Sequence, residues 1–122
     1  MLDEFEQNLL DTWEEVYKRG LSTFWILLAL QESSKYSLPI TEFIQKHTKG
    51  TLNIEEQSLY RALRRLKKMR LVEYVEKDAG QGRDRKVYSM TKSGNKILQS
   101  FIKRNIEQIY YNQSVKKLLK EL

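Results

Sequence analysis

Apolar residues recur at helical spacing along most of the chain. Leu2, Phe5, Leu9, Trp13 and Val16 step by three, four, four and three, close to a heptad seam, and predict an amphipathic helix. Phe24 to Leu30 is apolar at every position and predicts a helix buried in a core, since it is far short of the roughly 20 residues of a membrane span. Ile40, Phe43 and Ile44 form one apolar face of a short helix, with Pro39 suited to its first helical position and Gly50 to its C-terminal cap. The link Thr51 to Ile54 leads into the next helix, Ile54 to Met69, with Asn53 placed to cap it. There Leu59, Leu63, Leu66 and Met69 recur at steps of four, three and three, again one apolar face.

The period then changes. Leu71 to Glu76 and Lys86 to Met90 are short and rich in Val, Tyr and Leu, which predicts two strands. Between them Asp78 to Arg85 holds Gly80, Gly82, Arg83 and Arg85, a turn with arginines at its tip. Helical spacing returns after Thr91, a predicted N-cap, where Ile97, Leu98, Phe101, Ile102, Ile106, Ile109 and Tyr110 form a long stripe. Asn112 to Ser114 interrupts it, which predicts a bend or a fresh helix start capped by Ser114. The order makes a mainly α fold with a small β-hairpin: a winged helix-turn-helix with extra N-terminal and long C-terminal helices. The expected division is 1–19, an acidic amphipathic helix for dimer or core packing; 20–91, the winged helix-turn-helix; and 92–122, a C-terminal dimerisation helix.

Charge sharpens this picture. The net charge is +6, but the first seventeen residues carry Asp3, Glu4, Glu6, Asp11, Glu14 and Glu15 and no basic side chain, so a −6 arm precedes a +12 remainder. The arm is expected on the side of the domain away from any polyanion. Arg61, Arg64, Arg65, Lys67, Lys68 and Arg70 crowd the surface of the helix Ile54 to Met69, against only Glu55 and Glu56 in its first turn. A solvated face would carry charge too, yet a basic helix joined directly to a hairpin with arginines at its tip matches duplex DNA, with a phosphate charge about every 1.7 Å of axis.

Chemistry of other kinds lacks its residues. There is no cysteine, so disulfides and thiolate metal sites are excluded and a reducing cytoplasm fits. His47 is the only histidine, no Ser/His/Asp arrangement exists, and Gly80 and Gly82 are not followed by the Lys-Ser or Lys-Thr of a phosphate loop. We expect neither an enzyme nor a cofactor, and no metal. The first residues, Met-Leu-Asp-Glu-Phe-Glu, are acidic where a secretory signal is basic, so no targeting segment and no membrane are expected.

Leu59-Tyr60-Arg-Ala-Leu63-Arg-Arg-Leu66, then Leu71-Val72, then Arg85-Lys86-Val-Tyr88-Ser-Met-Thr91-Lys-Ser-Gly94, resembles the signature of PadR-type transcriptional regulators over roughly Leu21 to Leu98. The resemblance implies a homodimeric winged-helix repressor of the prokaryotic nucleoid, its dimer built chiefly by the C-terminal helix. It also implies that Ser58, Tyr60, Arg64, Arg85 and Lys86 lie at or near DNA. Two residues depart from the family pattern: Arg61 stands where proline is frequent, and Arg70 where glycine is usual. Arg70 would be strained in a left-handed conformation, so a rebuilt helix end is expected there.

Taken together, the partners expected are double-stranded DNA and a second copy of the chain. Arg64, Arg65, Lys67, Arg83 and Lys86, with Arg85 at the wing, are assigned to phosphates, and Asn53, Gln57, Ser58, Tyr60 and Arg61 to base edges. Leu9, Trp13, Phe101, Ile102, Ile106, Ile109 and Tyr110 are assigned to the dimer. Two readings stay open for the rings of Trp13, Trp25 and Tyr110: packing, or a site for a flat aromatic or cationic inducer. Two alternatives for the whole chain also stay open: a winged-helix module that docks an acidic protein, and a plasmid or phage replication or copy-control factor.

Overall fold

The computed structural model describes residues 1–78 and 84–122. Arg83, with Gly80 and Gly82, lies outside the described residues. The elements run α1 (Glu4–Lys18), α2 (Leu21–Glu32), α3 (Ser37–His47), α4 (Glu56–Lys68), β1 (Val72–Asp78), β2 (Asp84–Met90) and α5 (Lys92–Ile102). A π-helical stretch (Lys103–Glu107) then continues into α6 (Gln108–Tyr110), and α7 (Gln113–Lys120) follows. β1 and β2 form an antiparallel hairpin in which Val72 faces Met90, Tyr74 faces Tyr88 and Glu76 faces Lys86.

The core lies where α2, α3, α4 and the base of the hairpin meet. α2 contributes Ile26, Leu27, Ala29 and Leu30, α3 contributes Ile40 and Ile44, and α4 contributes Leu59, Ala62, Leu63 and Leu66, all buried. Leu71, Val72, Tyr88 and Leu98 close it from the hairpin and α5. Burying apolar area at about 25 cal/mol per Å² is what holds these short helices, which would be marginal alone. The all-apolar run of α2 is thus explained: it packs against α3, α4, α5 and β2 at once.

Four local expectations are corrected. α3 begins at Ser37, so Pro39 occupies the third helical position instead of the first; its missing N–H is still one that the helix would not use. α4 begins at Glu56 after Glu55, and Asn53 does not cap it: its amide donates to the Gly50 carbonyl at 3.1 Å and its oxygen accepts from Gln45 Nε2 at 3.1 Å, bracing the turn. The end of α4 is not rebuilt. Arg70 takes the left-handed conformation, φ 61°, and the Arg70 and Leu71 N–H groups donate back to Lys67 and Leu66 carbonyls at 2.9 and 3.0 Å, a complete Schellman ending. Finally, the helix after the C-terminal break is capped by Asn112, which accepts from the Val115 N–H at 2.8 Å, and Ser114 lies inside it.

Lys49 repeats the Arg70 arrangement at the end of α3, with φ 54° and Gly50 following at φ 76°. The Gly50 N–H reaches the Gln45 carbonyl at 2.8 Å. Thr91 caps α5 as expected, accepting from the Gly94 N–H at 3.0 Å, and its hydroxyl also donates to the Arg70 carbonyl at 2.7 Å. α1 opens on a capping box of Asp3 and Glu6 but buries no residue. Leu9, Trp13 and Val16 remain exposed on it, as do Phe101, Ile109 and Tyr110 near the other end. Among the described residues no helix is long and apolar enough to cross a membrane.

Candidate nucleic-acid interface

α4 carries its four buried residues on one side, so the 100° step of the helix sends Gln57, Arg61, Arg64 and Lys68 to the opposite side. All four are exposed. Tyr60 and Lys67 flank this face towards the hairpin, Ser58 and Arg65 towards α2. The guanidinium of Arg61 donates to Ser58 Oγ at 3.1 Å, and that of Arg65 to Thr23 Oγ1 on α2 at 3.3 Å. Arg65 therefore lies on the flank away from the hairpin. The Tyr60 hydroxyl meets Ser37 Oγ of α3 at 3.2 Å, which fixes the relative position of the two helices at the surface. Among the described residues Arg61, Arg64, Arg65, Lys67 and Lys68 form no ion pair, so their charge faces outward uncompensated.

The hairpin folds its own cations against α3 and α4. A cleft of about 670 Å³ runs between the start of α3, the first turns of α4 and β2, with Tyr36, Glu56, Tyr60, Arg85, Lys86 and Tyr88 on its walls. Two smaller clefts continue it along α4, one bounded by Gln57, Tyr60, Arg61 and Arg64, the other by Arg64, Lys67, Lys68 and Tyr74. Lys86 and Tyr88 border all three. Arg85 stacks over the Tyr36 ring at 4.6 Å from its centroid. Lys86 and Lys67 both sit over Tyr74, at 4.6 and 5.1 Å. Burial pushes the Tyr88 phenol above its ordinary value, Tyr60 and Tyr74 reinforce the shift, and the nearby Arg64 opposes it.

The structure thus gathers Gln57, Tyr60, Arg61, Arg64, Lys67, Arg85 and Lys86 around one continuous groove. Ser58 and Arg65 lie at its edge, and Asn53 is engaged within the turn ahead of α4. None of the residues of acidic α1 lines the groove. Sequence reasoning missed Tyr36, Tyr74 and Tyr88, although strand alternation carried a signal: Tyr74 and Tyr88, two residues from Val72 and Met90, share their face and turn towards α4. It also missed Lys35, whose half-buried side chain donates to the Ala29 carbonyl, Glu32 Oε1 and Ser33 Oγ at 2.8, 2.9 and 2.9 Å.

Among the described residues, the aromatic rings weighed for a ligand do not stack on one another. Trp25 packs edge-on against Phe24 at 5.5 Å, and Phe24 in turn against Phe101 at 5.7 Å, while Trp13 and Tyr110 are exposed on α1 and α6. Ile102 and Ile106 are half-buried. Among the described residues no cluster of His, Asp and Glu could hold a metal ion.

Comparison with known proteins agrees with this architecture. The model of the transcriptional regulator PadR-like family matches residues 26–100. An uncharacterised protein of Lysinibacillus sphaericus is 31% identical over 85 residues, spanning 70% of this chain and 78% of that one. A PadR family transcriptional regulator of Eggerthella lenta superposes with a TM-score of 0.72 at 22% identity, over 95% of this chain and 96% of that one. A PadR-like regulator of Bacillus cereus gives 0.67 at 26% identity, over 84% and 94%. Bacillus subtilis PadR, crystallised with operator DNA, gives 0.64 at 19% identity over 70% of this chain, which spans only 48% of that longer protein. From the family match over most of the winged helix and the shared fold, the chain belongs to the PadR-like family of transcriptional regulators.

Proposed function

We propose that the chain acts as a homodimeric repressor that binds a palindromic operator through α4 and the hairpin. The observation that carries this is the groove: an outward face of α4 with unpaired cations, bordered by hairpin cations held on tyrosine rings. The complex of Bacillus subtilis PadR with operator DNA supports the same use of the fold. Gln57, Ser58, Tyr60 and Arg61, near the start of α4, would meet base edges. Arg64, Arg65, Lys67, Arg85 and Lys86, with Arg83 beyond the described residues, would neutralise phosphates. Asn53 reads a base only by releasing Gln45 or Gly50.

The division into an acidic arm (1–19), a winged helix-turn-helix (20–91) and a C-terminal helix (92–122) assigns the dimer to the two ends. Their exposed apolar side chains, Leu9 and Trp13 on one and Phe101, Ile109 and Tyr110 on the other, gain a partner in a twofold assembly. Such an assembly presents two copies of α4 to successive turns of the groove, about 34 Å apart. A flat aromatic or cationic inducer held among Trp13, Trp25 and Tyr110 is part of the same proposal. The working compartment is that of the DNA itself, the cytoplasmic nucleoid.

Binding to a randomised duplex pool, with sequencing of what is retained at two salt concentrations, tests the reading. Enrichment of an inverted repeat with half-sites one helical turn apart is the expected result. Retention without enrichment that vanishes as salt rises would overturn it in favour of a protein-docking module.

A further inference from the structure

Resting on the DNA reading, we propose that Tyr74 is a positioning residue: its ring holds the ammonium groups of Lys67 and Lys86 in place for phosphates before DNA arrives. Lys67 belongs to α4 and Lys86 to β2, yet both lie over the one ring, at 5.1 and 4.6 Å from its centroid. Tyr74 is half-buried and itself held by Tyr88, 5.7 Å away across the hairpin. The platform is therefore anchored from below.

The partner that Lys86 does not take makes the point. Glu76 stands directly opposite Lys86 in the strand register, where an oppositely charged pair is favoured. Both residues are described and they form no ion pair; the ammonium lies over the ring of the diagonal neighbour Tyr74 instead. The difference matters for binding. A carboxylate occupies the N–H donors of an ammonium and cancels its charge, and a phosphate would have to displace it. A ring face attracts the cation through its quadrupole and leaves the donors free. Lysine also loses much rotamer freedom when it is fixed on a phosphate, and a lysine already resting on a ring has less to lose. The cleft above Tyr74 is lined by Arg64, Lys67, Lys68 and Lys86 and by no carboxylate, so its charge favours an anion.

A positioning residue leaves a signature distinct from that of a phosphate-contacting one. Removing a contacting lysine lowers the number of counterions released; removing the platform lowers affinity while the lysines still reach their phosphates. Binding to a random-sequence duplex is measured across a salt series for the full chain, for Tyr74→Leu and for Tyr74→Phe, and Tyr74→Leu is repeated in a Lys67→Ala/Lys86→Ala background. Tyr74→Leu is expected to weaken binding about three- to tenfold with the salt slope unchanged, Tyr74→Phe to rescue it, and the double-alanine background to abolish the effect.

In the free protein the ε-methylene protons of Lys67 and Lys86 should show upfield ring-current shifts, kept in Tyr74→Phe. Wild-type binding by Tyr74→Leu overturns the inference, and so does an undiminished loss in the double-alanine background. Absence of the ring-current shifts in the wild-type protein overturns it whatever Tyr74→Leu does. A wild-type chain that binds no duplex overturns the DNA reading and the inference with it, whereas a failed cycle on a chain that binds overturns the inference alone.

Discussion

Lys35 and Tyr88 exchange both backbone hydrogen bonds, the Lys35 N–H donating to the Tyr88 carbonyl at 3.0 Å and the Tyr88 N–H to the Lys35 carbonyl at 2.8 Å. One residue of the α2–α3 link thus forms an isolated antiparallel bridge to the outer edge of β2. The same lysine turns its side chain back to close the C-terminal end of α2, where a cation suits both the free carbonyls and the helix dipole. The hairpin is in this way tied to the core through Lys35.

Lys35→Met should loosen that tie. The ammonium loses bonds to Ala29, Glu32 and Ser33, and the Ala29 carbonyl is left without its donor. A loss of about 1–3 kcal/mol in unfolding free energy is expected from denaturant midpoints, with the slope unchanged. The pH dependence has a definite sign. The hydrogen bond and charge of Lys35 hold the Glu32 carboxyl below its ordinary value of 4.5. Its contribution is present above that pH and is lost as pH falls through the lowered folded value. Lys35→Met should return Glu32 towards the ordinary value in an NMR titration; no change would show that the pair does not form in solution.

Gly94 is expected to tolerate no side chain. A Cβ there would collide with the Leu71 carbonyl oxygen and come within 2.8 Å of Met90 Cγ, where α5 crosses the hairpin. Helix propensity alone favours alanine by about 1 kcal/mol. Overpacking against backbone should win, so Gly94→Ala should destabilise by about 1–3 kcal/mol. A stabilised variant would refute the close approach.

Arg70→Gly should do the opposite. At φ 61° the arginine carries the cost of a left-handed conformation, about 1–2 kcal/mol, that glycine avoids. Glycine's larger entropy loss on folding returns part of it, leaving a net gain of about 0.5–1 kcal/mol. Thermal unfolding should show a rise of several degrees. Arg70→Ala, still left-handed, should show no such rise.

Arg61 and Lys67 should separate specificity from affinity. Arg61→Ala should alter the sequence preference recovered from a duplex pool, whereas Lys67→Ala should weaken all sequences alike and flatten the salt slope by about 0.9. Equal losses on operator and random DNA for both would contradict this division of α4 into a base-reading start and a phosphate-binding end.

The exposed ends make a prediction about assembly. Trp13→Glu combined with Phe101→Glu places charge on surfaces that the proposed dimer would bury. Sedimentation is expected to find a dimer for the wild-type chain and a monomer for the double variant, with the winged helix still folded. A wild-type monomer would remove the twofold operator from the proposed function.

Which segments are helix or strand, and the order of supports, basic helix and hairpin, were decided by the sequence alone. Periodicity is a local property: Leu59, Leu63 and Leu66 mark a buried face whatever they pack against, and Thr91 caps a helix through atoms three residues away. The groove required tertiary structure. That Lys67 and Lys86 share the Tyr74 ring, that Arg65 turns to Thr23 on α2, and that Lys35 bridges to Tyr88 are contacts between distant residues that no local pattern encodes. The π-helical stretch at Lys103–Glu107 is of the same kind: it widens one turn and shifts the C-terminal stripe, which a simple 3.6-residue count cannot register. Even the cap choices at Asn53 and Asn112 turned on which neighbouring polar group came within reach, since Asn53 found Gln45 and Gly50 and was drawn away from the helix it precedes. Local patterning specifies elements because its hydrogen bonds close within a few residues; a site is made by side chains that meet only after the core has brought those elements together.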